Sequence, residues 1–154
     1  MDVNPPRFNV RIDIPGDPKG MGRAKSRLIK TKDGRQFTTH YTPEASRIEA
    51  GVIRMYAEKA MAGQAPFQGP AVLHVAAYLP VPKSFTKKMR EGALTQVPTV
   101  WPTKKPDFDN ISRFIDQLKG VVWGDDCQVV DSHTFKRYTD RPRLVIQIKE
   151  KTVF

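Results

Sequence analysis

Two stretches of this chain alternate apolar and polar residues with a period of two, and that pattern dictates a sheet. In RFNVRIDIPG (7–16), Phe8, Val10, Ile12 and Ile14 fall on one face and Asn9, Arg11 and Asp13 on the other, and Pro15-Gly16 stops the run. In RPRLVIQIKE (141–150), Leu144, Ile146 and Ile148 repeat the pattern. Each such strand has an apolar face that must be covered. A third segment, GPAVLHVAAYLPVP (69–82), is more continuously apolar and reads as a core strand closed by prolines.

The intervening segments supply the cover. YTPEASRIEAGVIRMYAEKAM (41–61) reads as a helix with Thr42 as N-cap, Pro43 at the first helical position and Glu44 at the positive end. Ala45, Ile48, Val52 and Tyr56 mark its expected apolar face. SFTKKMREG (84–92) predicts a short helix capped by Ser84 and ended by Gly92, and NISRFIDQLKG (110–120) predicts an amphipathic helix ended by Gly120. In the latter, Ile111, Phe114, Ile115 and Leu118 fall at i, i+3, i+4 and i+7. After a turn at Gly124–Asp126 comes another strand, and TDRP (139–142) is expected to fold it back on the last strand as a hairpin. The order predicts one α/β domain over 1–154, a small mixed β-sheet packed by helices.

A chain of 154 residues is long enough for a real core; a domain of this size buries ~70% of its unfolded surface. There are 26 Lys and Arg against 16 Asp and Glu, a formal charge of +10. That excess points to a polyanionic partner, most simply nucleic acid. Seven of the cations crowd between Lys19 and Arg35, where KDGRQ reads as a hairpin turn. The stretch reads as a basic arm on a phosphate backbone, with Arg23, Lys25 and Arg27 as DNA contacts. GDPKGMGRAKS (16–26) lacks the P-loop pattern, and Gly20 and Gly22 lack the rest of a dinucleotide fingerprint, so no nucleotide cofactor is expected. Cys127 is the sole cysteine, the N-terminus MDVNPPRFNV has no apolar signal core, and no apolar run is long enough to span a bilayer. The expectation is a cytoplasmic protein without membrane contact.

Against this basic background, carboxylates gather at two junctions between elements: Asp107 and Asp109 in KKPDFDN, and Asp125-Asp126 in WGDD. A helix cap accounts for Asp109, and turns favour aspartate, which accounts for Asp125-Asp126. Capping leaves Asp107 without a role. The other reading is a divalent cation between protein and phosphate. His40, His74 and His133 lack zinc-site spacing, so carboxylate ligands favour Mg²⁺ or Mn²⁺. Arg113 lies four residues after Asp109, one helical turn on, and suits either a plain ion pair or a phosphate clamp. Asp116 shares that face and reads as a partner for Arg113. Lys104 and Lys105 flank the acids and suit phosphate positioning.

The stretch KPDFDNISRFIDQLKGVVWGDDCQVVDSHTFKR closely resembles the RusA family of Holliday junction resolvases, found in phages and prophages. The shared pattern is Asp107, Asp109 and Asn110 opening a helix, then Trp123, Asp125, Asp126, Gln128 and Val129 at a turn and strand, then Lys136. IPGDPKGMGRAKSR and YTPEASRIEA are similar to the family's N-terminal loop and helix. The resemblance implies a homodimeric, Mg²⁺-dependent endonuclease that nicks two strands symmetrically across four-way junction DNA. It assigns Asp107, Asp109 and Asp126 to metal and catalysis, Asp125 beside them, and Lys136 to DNA. One position departs: the family often has a catalytic lysine where this chain has Arg113. Arginine keeps the charge and can clamp a phosphate, but it does not readily release a proton. Two rival readings remain open at this level: a branched-DNA-binding protein without catalysis, and a nuclease for flaps or single strands.

Overall fold

The computed structural model describes residues 7–152. Residues 1–6, part of the stretch examined for a signal core, lie outside them. Six strands are present: β1 (Asn9–Pro15), β2 (Lys25–Lys30), β3 (Gln36–Tyr41), β4 (Ala71–Pro80), β5 (Val129–Thr139) and β6 (Arg143–Glu150). The helices are α1 (Glu44–Met61), α2 (Lys87–Leu94) and the single turn α3 (Phe108–Ile111). The expected α/β class and mixed sheet are observed. β1, β6, β4 and β5 form a four-stranded sheet in that order, and β2 and β3 form a separate two-stranded one.

Register follows from burial. Val10, Ile12 and Ile14 of β1 sit opposite Ile148, Ile146 and Leu144 of β6. Those in turn face Leu73, Val75 and Ala77 of β4, so three apolar rows lie side by side. All nine side chains are buried. Ile53, Ala57 and Met61 of α1 cover them, joined by Phe114, Leu118, Val122 and Trp123 from the crossover. A smaller cluster of Leu79, Ala93 and Tyr138 seats α2 near the other end of β4.

Several local expectations are corrected. β5 and β6 are not a hairpin, because β4 lies between them. β5 runs parallel to β4, and β6 runs antiparallel to it. Residues 140–142 therefore step past the end of β4, from Thr139 beside Pro80 to Arg143 beside Tyr78. Pro43, not Thr42, holds the N-cap position of α1, with no side-chain cap bond. The buried face of α1 is turned from the expected one: Ile53, Ala57 and Met61 form its centre, Val52 and Tyr56 pack half-buried beside them as expected, and Ile48 is 62% exposed. Thr86 rather than Ser84 caps α2, its hydroxyl accepting from the Met89 amide at 3.3 Å, and the helix runs through Gly92 to Leu94. The predicted helix over 110–120 is one α-turn followed by a 3-10 segment, Ser112–Leu118. Its apolar residues Ile111, Phe114 and Leu118 are buried as expected.

A parallel pair cannot be joined by a tight turn. The chain between β4 and β5, residues 81–128, is that crossover, and it carries every acidic candidate of the site. Ile146 is the centre of the support beneath it, fully buried between Ile12 and Val75. Ile146→Ala is expected to cost about 2–5 kcal/mol of stability. Ile48→Ala on the open side of α1 should stay within about 0.5 kcal/mol. Urea denaturation of the two variants checks both values.

Candidate nuclease site

The KKPDFDN segment reaches its position through Lys136. The ammonium of Lys136, on β5, donates to the carbonyl of Lys104 at 2.8 Å and to that of Pro106 at 3.1 Å. The Lys105–Pro106 peptide between them is cis. Asp107 follows in extended geometry (φ −68°, ψ 148°) as the N-cap of α3, and its carbonyl accepts from the amides of Asn110 and Ile111. Its carboxylate makes no capping bond. The capping place expected for Asp109 thus belongs to Asp107, and Asp109 lies inside the first turn. Lys136, expected on DNA, acts here as a clamp on the loop that presents Asp107.

The N-terminal loop packs on the same turn. A Cβ added at Gly20 would lie 3.0 Å from Asn110 Cβ and 3.1 Å from Pro106 Cβ, so a larger residue would push the two segments apart by a few tenths of an ångström. The Met21 amide donates to the Asn110 carbonyl at 3.1 Å, and the Met21 side chain is buried in the core. Pro18, Lys19 and Gly20 then face Lys105, Pro106, Asp107 and Asn110 across an open pocket of about 390 Å³. Beyond it, Lys25 and Arg27 lie exposed on the β2–β3 hairpin. This hairpin packs little on the body, and its tip is closed by Gly34 at φ 86°. The expected basic arm is therefore half loop, half hairpin.

Charge on the first acidic pair is divided unequally. Asp109 accepts from Arg113 at 2.9 Å, and the guanidinium of Arg23 stands 3.7 Å away. The Arg113 bond, then its charge, hold the Asp109 carboxyl below the usual carboxylate range. The Nε of Arg113 is buried without a partner. Asp107 has no ion pair or side-chain hydrogen bond among the described residues.

The second acidic pair repeats this division. Asp125 accepts from Lys119 at 2.6 Å and from the Cys127 amide at 3.0 Å, and both hold its carboxyl low, the lysine most. Asp126 is raised instead, by its bond to Asp125, by desolvation, and by the charges of Asp125 and Asp116. Asp116 therefore acts on Asp126, and it is not the Arg113 partner expected. Gln128 fixes this turn: its side-chain oxygen accepts from the Asp125 amide at 2.9 Å. Its amide nitrogen donates to the carbonyls of Phe67 and Gly69 at 2.9 and 3.0 Å. Sequence reasoning gave Gln128 no role beyond its place in the motif. Its signal was the spacing, three residues after Asp125, that closes a capping box.

In both pairs one carboxylate is matched by a cation and the other is not. Among the described residues, no three His, Cys, Asp or Glu side chains gather as a group able to hold a metal ion. Asp107, Asp109, Asp125 and Asp126 thus stand as two pairs, not as one cage. Their chemistry, carboxylate oxygen throughout, fits a hard cation held by one or two carboxylates, with water and phosphate completing its shell.

Lys136→Met keeps the stem and removes the clamp. The expected result is a loss on the order of 1 kcal/mol in stability, since two carbonyls lose a charged donor at a half-buried position. Faster amide exchange across 104–111 with unchanged exchange in β4 is the accompanying signature, read by hydrogen exchange.

Residues 15–149 match the family model described as endodeoxyribonuclease RusA. The chain is also 26% identical over 145 residues to the uncharacterized protein YqaN of Bacillus subtilis (strain 168), covering 92% of this chain and 96% of that protein. The family match spans β4, the crossover with both acidic pairs and the basic arm. The chain belongs to the RusA family of endodeoxyribonucleases.

Proposed function

We propose that this protein is a magnesium-dependent, structure-selective endonuclease that resolves four-way DNA junctions by paired nicks. The observation that carries the reading is the unequal charge at the site. Asp107 and Asp126 lack a cationic partner among the described residues, in a chain of net charge +10, and Asp107 lines a pocket together with Lys19 and Lys105. Unmatched carboxylates there would repel a phosphate unless a cation came between them.

Asp107 and Asp126, one carboxylate from each pair, would hold the ion, with Asp109 and Asp125 beside them as the members already matched by cations. When bound, magnesium (or manganese) polarises the phosphoryl oxygens and lowers the pKa of a coordinated water. The chain's own residues do the rest. Lys104 and Lys105 hold the phosphate at the pocket's edge. Arg113 fixes Asp109 and keeps a permanent positive charge near the developing one; it is unsuited to donating a proton to the leaving oxygen. Arg23, Lys25 and Arg27 follow the backbone of a junction arm, and the close packing of Gly20 on Asn110 ties that arm to the acidic turn.

A four-way junction has approximate two-fold symmetry, so a homodimer presents two equivalent sites to it. On this reading the protein is a cytoplasmic, phage- or prophage-encoded homodimer acting in DNA recombination and repair.

The test is cleavage of a synthetic four-way junction, compared with a flap and a linear duplex of the same sequence. Symmetric paired nicks on the junction alone, dependent on Mg²⁺ or Mn²⁺, are expected. Asp107→Asn should lower the rate by at least about a thousandfold, because the ion supplies several kcal/mol to the transition state. Nicking of flaps or duplex at the junction's rate, or an Asp107→Asn variant of undiminished rate, would overturn the reading.

A further inference from the structure

The helices and the main core lie on one side of the four-stranded sheet; among the described residues its other side carries no helix, and the crossover reaches only its β5 edge, where Arg137 donates to the carbonyls of Thr95 and Gln96. That open side carries a row of rings on the adjacent strands β4 and β5. His74 stands opposite His133, with ring centres 6.1 Å apart. Phe135 follows at 5.9 Å from His133, and Tyr78 lies 6.0 Å from Phe135. Both histidines are exposed, and Phe135 and Tyr78 are half-buried. The guanidinium of Arg143 sits 4.1 Å from the centre of the Tyr78 ring. None of these residues takes part in the site described above.

We propose that this open sheet face is a second nucleic-acid surface, on which a single-stranded DNA segment stacks its bases on His74, His133 and Phe135. The inference rests on the reading that this protein handles branched DNA, whose strand exchange exposes unpaired bases. Two properties select the occupant. The first is flat rings at about 6 Å intervals on a rigid sheet, which suit bases because every base has a π-face. The second is charge. The carboxylates of this face, Asp13 and Asp131, are paired with Arg11 and Lys151. Arg143 and Lys149 have no ion pair with a carboxylate among the described residues, so the face is positive. A second copy of this chain, docked by a two-fold axis, would bring the same positive face against itself, which disfavours that occupant. Burial, with Lys149 and His133 nearby, lowers the His74 pKa and favours the neutral ring at neutral pH.

The test uses the full-length protein in chelator, so that nothing is cleaved. A fluorescein-labelled twelve-residue thymidine oligomer is compared by anisotropy with an abasic oligomer of equal length and charge. The wild type is expected to bind the thymidine oligomer about tenfold more tightly. The double variant His133→Gln, Phe135→Leu keeps polarity and apolar bulk but removes both rings; it should lose that preference and bind both oligomers alike. A melting temperature within a few degrees of wild type shows that the variant is folded, and if it falls further, His74→Gln with His133→Gln replaces it. Equal wild-type binding of the two oligomers, or a preference that survives loss of the rings, overturns the inference. So does a wild-type dimer that the variants convert to monomer in sedimentation. Junction nicking is read separately. Wild-type nicking without ring-dependent binding removes this inference and leaves the nuclease reading, and ring-dependent binding without nicking does the reverse.

Discussion

The parallel pairing of β4 with β5 is the constraint on which the rest of the molecule depends. Two parallel neighbours need a long return path, and here the path is residues 81–128. Everything chemically distinctive lies on it or is clamped to it. Its first acidic turn is held to β5 by the Lys136 ammonium, and its second is held by the Gln128 side chain to the connector before β4. An antiparallel hairpin between the last two strands would have left those turns without this scaffold. The apolar rows of β1, β6 and β4 make the sheet rigid beneath them. The site is thus built on loops, but on loops pinned at both ends by specific polar bonds.

Electrostatics completes what the scaffold begins. Within each acidic pair, one carboxylate is matched by a cation: Asp109 by Arg113 and Arg23, Asp125 by Lys119. The neighbour has no cationic partner among the described residues. The matched members are exposed, so their ion pairs add little to stability. Their value is positional, since they anchor turns that present Asp107 and Asp126. Arg113, where the family often carries lysine, fits such an anchoring role: its guanidinium is largely shielded and directed at Asp109.

Much of this was legible in the chain itself, for identifiable reasons. Alternation in β1 was plain because that strand is buried on one face only, which imposes period two, and β6 keeps the same pattern except at Val145, which is buried on the other face. The apolar spacing of Ile111, Phe114 and Leu118 correctly named the buried residues, although a 3-10 segment replaced most of the helix; one turn of either geometry puts i and i+3 on nearly the same side. The centre of the buried face of α1 was misread because Ile48 looks as apolar as Ile53, and only packing on the sheet chooses between them. The β5–β6 hairpin was misread because a four-residue turn signals a reversal of direction, not which strand lies alongside. Strand order is a tertiary property. In the candidate site, residue types singled out the acids and the flanking lysines as candidates. The i,i+4 spacing foretold the Arg113–Asp109 pair, but not the others, because Lys119 meets Asp125, and Lys136 meets Lys104, only through the fold.

Metal binding by the two unmatched carboxylates is the central claim, and titration of Mn²⁺ followed by electron paramagnetic resonance tests it without any DNA or turnover. Wild-type protein should bind Mn²⁺ saturably, with Asp107→Asn and Asp126→Asn each weakening binding by at least about tenfold, the order expected when one of very few charged ligands is removed. Lys119→Met, which frees Asp125 instead, should not weaken it. Saturable binding unchanged in both aspartate variants would contradict the account.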